Sequence, residues 1–398
     1  MSHWLTADEA AKALGIARAT LYAYVSRGLI RSSSVPGKTR ERRYSAEDVE
    51  RLRGRAEERK DPSRVAERAL HWGVPVLESA ITLIADNKLF YRGHDVTELA
   101  RTRSVEEVAS LIWTGGFDPP AFASTPLHVI AGGKAMEALA FVNRAESILP
   151  LVAARDPLAF DLRPRAVAQT GWRILNLLAS VAADSSELAP SIEETLQQRW
   201  AARNRHAADL IRQALILCAD HELNVSSFVA RCVASAGANP YAIVIGGMAA
   251  IEGVKHGGMT ARVATMFDEI RKSADIRGAL AERLRRGEPI HGFGHPLYAD
   301  GDPRAAFLLE AVRQRFSRSA ELAVAFRIAL AAEELIGDKP TIDFALVVLE
   351  RVLKLPNGAA LTLFALGRSI GWIGHAIEQY ARNEIIRPRA RYIGPAPA

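Results

Sequence analysis

The 398-residue sequence predicts a mainly α protein, a large helical body preceded by a small basic segment of short helices. Three observations carry this. Apolar residues recur at helical spacing over 104–114, 128–147, 166–184, 207–218, 223–236, 240–254, 306–336, 343–353 and 360–383. Beyond residue 68 only 80–92 (AITLIADNKLFYR) reads as strand, a hairpin turning at Asp86-Asn87. The charge is uneven: of a formal net +6, residues 1–65 supply most, with fourteen Lys and Arg against nine acids.

The length fits two to three domains. With 49% hydrophobic and 24% charged residues the chain is neither disordered nor fibrous. No apolar run approaches the ~20 residues that span a bilayer, so no membrane partner is expected. The start, MSHWLTADEAAKAL, carries acids where a secretory signal is apolar, which predicts a cytoplasmic protein. Two cysteines, Cys218 and Cys232, cannot build a disulfide framework and are expected to be buried thiols.

In the N-terminal segment, Thr6 and Glu9 form a capping-box pattern that opens a helix over 7–14, and Gly15 ends it. A second helix follows over 16–25, with Arg18, Thr20, Tyr22 and Tyr24. Val35-Pro36-Gly37-Lys38 is a turn signal between basic runs and predicts a wing. Ser45 then caps a third helix over 46–60. Helix, tight turn, helix and wing make a helix-turn-helix arrangement. From Arg18 to Arg43 seven cations (Arg18, Arg27, Arg31, Lys38, Arg40, Arg42, Arg43) face one acid, Glu41. That excess suits a polyanion such as DNA, although a solvated basic face has the same composition. The segment, LTADEAAKALGIARATLYAYVSRGLI followed by RERRYSAEDVERL, resembles the MerR/excisionase-like winged helix-turn-helix family. The expected domain is 1–60, with a polar linker over 61–69.

In the body, Gly367, Gly371 and Gly374 fall at i, i+4 and i+7 of the last helical run. They leave one helix face bare, so another backbone can approach it. The sequence has no phosphate-binding glycine fingerprint, no HExxH or CxxC motif and no nucleophile elbow, so neither metal nor cofactor is expected. What stands out is a set of histidines at breaks in the helical pattern. His221 lies in CADHELN, His256 in KHGG directly before a helix, and His295 in HGFGHP, where flanking glycines let substrate or backbone approach the ring. Asp302-Pro303-Arg304 reads as N-cap, N1 and first turn. Asp343 heads the apolar run 344–349, either as a first-turn dipole partner or as a functional carboxylate.

Taken in order, DHELN (220–224), HGG (256–258), GFGH (292–295), DPR (302–304), IDF around Asp343 and Arg-Pro-Arg (387–389), with YRGHDVTELA (91–100) ahead of them, resemble the citrate synthase family over about 70–395. The resemblance implies a large helical domain over 70–257 and 343–398 and a small mobile domain over 258–342. It implies condensation of acetyl-CoA with oxaloacetate. Asp343 is the base, His256 stabilises the enol, and His295 polarises the ketone. His221, Arg304 and Arg368 would bind oxaloacetate, with Arg387 reaching in from the second subunit of a homodimer. His291 and His375 are expected to be structural, and Lys255 and Lys339 are possible CoA phosphate contacts. The chain departs from the family pattern at Met259-Thr260-Ala261, at Pro296 and around Ala345, all on the acyl-CoA side. A 2-methylcitrate synthase using propionyl-CoA therefore remains an alternative. So does a metabolite-sensing DNA-binding regulator built on the same domain.

Overall fold

The computed structural model describes residues 4–26, 29–34, 42–46, 48–49, 77–119, 136, 138–390 and 392–395. The chain forms two compact units, Met1–Glu78 with Pro388–Ala398, and Ser79–Arg387.

The first unit begins with β1 (Trp4–Leu5), α1 (Ala7–Leu14) and α2 (Arg18–Ser26), then β2 (Ser32–Ser34) and β3 (Arg42–Ser45). The capping box is formed: Thr6 Oγ1 accepts from the Glu9 N–H, and Glu9 accepts from the Thr6 N–H at 2.7 Å. Gly15 closes α1 in the left-handed conformation. The strands pair antiparallel in the order β1-β3-β2, and Ala10, Ala11, Leu21, Ile30, Tyr44 and Val49 form a small core between helices and sheet. This is the predicted helix-turn-helix with a wing. Ser45 Oγ accepts the Asp48 N–H at 3.4 Å, the predicted cap. The turn at 35–38, most of the third helix and the 61–69 linker lie outside the described residues.

The second unit opens with the predicted hairpin, β4 (Thr82–Ala85) and β5 (Lys88–Tyr91), joined through Asp86 (φ 50°) and Asn87 (φ 58°). Both turn residues are left-handed, which matches the twist of a two-residue hairpin. A short third strand, β6 (His94–Asp95), completes the sheet. Helices follow: α3 (Val96–Thr102), α4 (Val105–Thr114), α5 (Phe141–Ala153), α6 (Pro164–Ala183), α7 (Ile192–Trp200), α8 (Ala207–Cys218), α9 (Val225–Ser235), α10 (Pro240–Ile251), α11 (Met259–Ile270), α12 (Ile276–Arg285), α13 (Pro303–Phe316), α14 (Ala320–Ile336), α15 (Ile342–Leu353) and α16 (Ala359–Arg382).

α16 is the axis of this unit and is buried on nearly all sides, as a helix apolar all round must be. Its bare face does what the glycine spacing predicts. A Cβ at Gly367 would lie 2.6 Å from the Leu215 carbonyl oxygen, and one at Gly371 would lie 2.4 Å from that of Ala219. The end of α8 therefore rests directly on the α16 backbone, and the Gly371 N–H donates to the Ala219 carbonyl at 2.9 Å.

Three expectations are corrected. The run 306–336 is two helices: Ser319 caps α14 by accepting the Leu322 N–H, and the apolar period continues across the break and hides it. α16 is long and apolar enough to cross a membrane, contrary to the expected absence of such a run; 94% of its apolar window is buried inside the unit. Cys218 is fully buried, whereas Cys232 is only partly so.

Candidate active site

Six of the seven site residues named from the sequence come together in the second unit, five of them at chain breaks and helix ends and Arg368 in the middle of α16. His221 sits in the turn between α8 and α9, where Glu222 takes φ 51°. Its Nε2 is 2.9 Å from the Tyr298 hydroxyl, and its ring centroid is 5.2 Å from that of His295. Burial holds its pKa well below the usual 6.5, and Arg304 and Arg368 add to the depression.

His295 lies in the 291–298 loop. Its Nδ1 accepts the Leu297 N–H at 3.2 Å, which puts the proton of the neutral ring on Nε2. Burial, then Arg304, pushes its pKa down to about 4. The same loop runs antiparallel to the start of α15: the Gly294 N–H donates to the Lys339 carbonyl at 3.0 Å and the Thr341 N–H to that of Gly292 at 2.8 Å. Two short hydrogen bonds thereby place His295 beside the helix end that carries Asp343.

His256 occupies the turn before α11, with its backbone carbonyl accepting the Met259 N–H. Its Nε2 is 2.8 Å from Ser226 Oγ. Its ring meets Phe364 edge-on at 5.8 Å, and the Arg368 guanidinium lies over the same phenyl ring at 4.8 Å. The pKa falls to about 4 through burial first and Arg368 second.

Asp302 is the N-cap of α13, as predicted, and it has a second task. Its carboxylate takes Arg304 Nε at 2.9 Å and Nη2 at 2.8 Å, and also the Ile342 N–H at 3.0 Å. One buried carboxylate thus ties the N-terminus of α13 to that of α15. Burial alone would raise the Asp302 pKa; Arg304 reverses this and keeps it ionised. Asp343, in the first turn of α15, is pushed up to about 6 by burial, against the pull of Arg304 and with the help of Asp302.

Arg368 is 1% exposed. Its Nε donates to the Cys218 carbonyl at 2.8 Å, and among the described residues no carboxylate lies within ion-pair distance of it. Burial lowers its pKa while Asp220 resists. A buried guanidinium without a direct counter-ion is costly unless an anion completes the site.

Arg387 does not join this cluster. It is exposed on the extended segment after α16. Lys255 is exposed in the turn before His256, and Lys339 packs its chain against Gly301. His375 is fully buried with Nε2 3.2 Å from Asp220 Oδ1, and His291 is partly buried. The sequence reading missed Tyr298, Ser226 and Asp220. Tyr298 follows His295 by three residues in the same Gly-Pro loop, a signal available in the sequence. Ser226 and Asp220 gain their partners only through the fold.

A family model described as "Citrate synthase, C-terminal domain" matches residues 69–155 and 163–389, and one described as "Helix-turn-helix domain" matches residues 4–55. A citrate synthase from Haloferax volcanii is 31% identical over 358 residues, covering 81% of this chain and 94% of that protein. A 2-methylcitrate synthase from Shewanella oneidensis is 28% identical over 352 residues, covering 79% and 91%. The crystal structure of citrate synthase from Thermotoga maritima superposes with a TM-score of 0.68 at 26% identity, covering 82% of this chain and 95% of that one. With a family match across most of the body, the chain belongs to the citrate synthase family of condensing enzymes and carries a helix-turn-helix domain at its N-terminal end.

Proposed function

We propose that the body is an acyltransferase that joins acetyl-CoA to oxaloacetate, with hydrolysis of the citryl thioester to citrate and CoA. The observation that carries this reading is a carboxylate with a raised pKa beside neutral histidines and a buried guanidinium with no carboxylate at ion-pair distance among the described residues. The methyl carbon of a thioester is a very weak acid, so an ionised carboxylate removes its proton only if the enol is stabilised as it forms. Asp343, with its pKa near 6, is a better base at neutral pH than an ordinary aspartate and still ionised there.

His256 is the enol stabiliser. The Ser226 hydroxyl donates to Asn224 Oδ1 at 2.8 Å; when that hydrogen turns instead to His256 Nε2, the ring proton stands on Nδ1, and that N–H donates to the thioester oxygen. His295, protonated on Nε2, donates to the ketone of oxaloacetate and then to the new alkoxide. Arg304 and Arg368 hold the dicarboxylate with His221 beside them. Arg387 completes the grip from a second copy, whose docking face is the pair α9–α10: Phe228, Val229, Val233 and Ile245 are apolar and only partly covered there. Closure of 258–342 over the ligands excludes water until the carbon–carbon bond exists. Acetyl-CoA and oxaloacetate enter as substrates, and no step needs a cofactor.

The test is thiol release with acetyl-CoA or propionyl-CoA in the presence of oxaloacetate. Faster release with acetyl-CoA is expected; faster release with propionyl-CoA would make the protein a 2-methylcitrate synthase. Release with neither, at micromolar enzyme, would overturn the reading. The helix-turn-helix unit favours one further reading, a metabolite-sensing DNA-binding regulator, in which oxaloacetate or citrate shifts retention on DNA without turnover.

A further inference from the structure

The β4–β5 hairpin touches both walls of the cleft. Toward His221, the Thr82 hydroxyl donates to Asp220 Oδ2 at 2.5 Å, the Ile84 backbone bonds to Glu222, and the Tyr91 hydroxyl lies 3.0 Å from the Asp220 carbonyl. Toward Arg304, the hairpin tip takes hold of the 300–301 backbone. Asn87 Nδ2 donates to the Gly301 carbonyl at 3.0 Å, and Asn87 Oδ1 accepts the Asp300 N–H at 3.1 Å. Both ends of one side-chain amide are used on one peptide segment, as a neighbouring strand would use its backbone.

We propose that Asn87 is a positioning residue, a latch whose amide holds the 300–304 segment against the hairpin and so sets how Arg304 and Asp343 stand relative to His221 and Arg368. The proposal rests on the condensing-enzyme reading. The turn itself does not need the asparagine amide: at φ 58° a glycine serves as well. The latched segment has little slack. Gly301 takes φ 97°, and a Cβ there would lie 2.9 Å from Lys339 Cδ, so the segment is held between Asn87 and the chain entering α15. The next residue is Asp302, whose carboxylate carries Arg304 and the Ile342 N–H. A shift of 300–301 therefore reaches the dicarboxylate clamp and the base together. Opening of 258–342 away from the hairpin must break both Asn87 bonds, so the latch favours the gathered arrangement.

Asn87→Gly in the full-length protein keeps the turn and removes only the amide. It is expected to raise the oxaloacetate KM roughly three- to tenfold, because the competent arrangement is less populated, while kcat stays within about twofold. Backbone hydrogen exchange over 299–304, read without substrate, is expected to quicken roughly tenfold. Asp86→Gly, at the neighbouring exposed turn position, should change neither. Unchanged KM and exchange in Asn87→Gly, or an equal change in Asp86→Gly, would overturn the latch. A wild-type protein that releases no thiol would overturn the condensing reading instead, and the exchange comparison would still decide the latch.

Discussion

Asp343 and the two histidines near it are displaced in opposite senses by one cause, loss of water. Burial penalises the charged form, so the aspartate rises from 3.8 to about 6 while His256 and His295 fall from 6.5 to about 4. At neutral pH this leaves one ionised base and two uncharged donors. Activity should therefore have an acid limb: kcat/KM falls as pH drops through about 6, where Asp343 takes up its proton, and the histidines follow only near 4. A pH–rate profile with its acid limb nearer the ordinary carboxylate range would contradict this. The stability signs differ. The fold favours protonated Asp343, so its contribution is lost as pH rises from about 4 to 6; it disfavours protonated histidines, so theirs is gained as pH rises from about 4 to 6.5. Asp343→Asn is nearly isosteric and should lower kcat by about 10²–10⁴ while oxaloacetate binding, followed by calorimetry, persists. The histidines and Asp343 were legible in the sequence because each sits at a break or a helix start. Their protonation was not, since it depends on Phe364, Ser226, Leu297 and Arg368 arriving from elsewhere in the chain.

Among the elements, α13 and α15 act as a pair because Asp302 spans their N-termini, and α8 and α16 act as a pair because glycine removes the atoms that would separate them. The second pairing is sharply testable. In Gly371→Ala the new methyl would lie 2.4 Å from the Ala219 oxygen and 2.5 Å from Asp220 Oδ1. Overpacking of this kind costs about 1–3 kcal/mol, measurable by urea unfolding, and should also raise the oxaloacetate KM because His221 follows Asp220 in the chain. An unchanged unfolding midpoint would contradict the close packing. The glycine spacing announced this contact, since i, i+4 and i+7 share a helix face. Helix ends were less legible: the short helices α3, α7 and α12 lack a long apolar stripe, and the α13–α14 break is hidden by continuous periodicity across Ser317–Ser319.

For the whole molecule, a basic helix-turn-helix unit precedes a body from which it is compactly distinct. Among the described residues, two of the seven cations that suggest DNA are already engaged in ion pairs: Arg18 pairs with Asp8, and Arg31 pairs with Asp48 at 2.8 Å. On our reading, salt-dependent retention on random DNA should vanish when residues 1–60 are deleted, while thiol release by the body continues; retention that survives the deletion would assign DNA binding elsewhere. Sequence by itself determined the helical class, the order of the longer elements, the hairpin turn, the caps at Thr6 and Asp302 and six residues of the cleft, because periodicity, turn chemistry and short motifs are local properties. Only the tertiary structure decided which of those residues meet, that Arg368 is buried with no carboxylate at ion-pair distance among the described residues, and that the hairpin tip grips the 300–301 backbone. Those facts depend on groups far apart in the chain losing water together, and no local pattern encodes that.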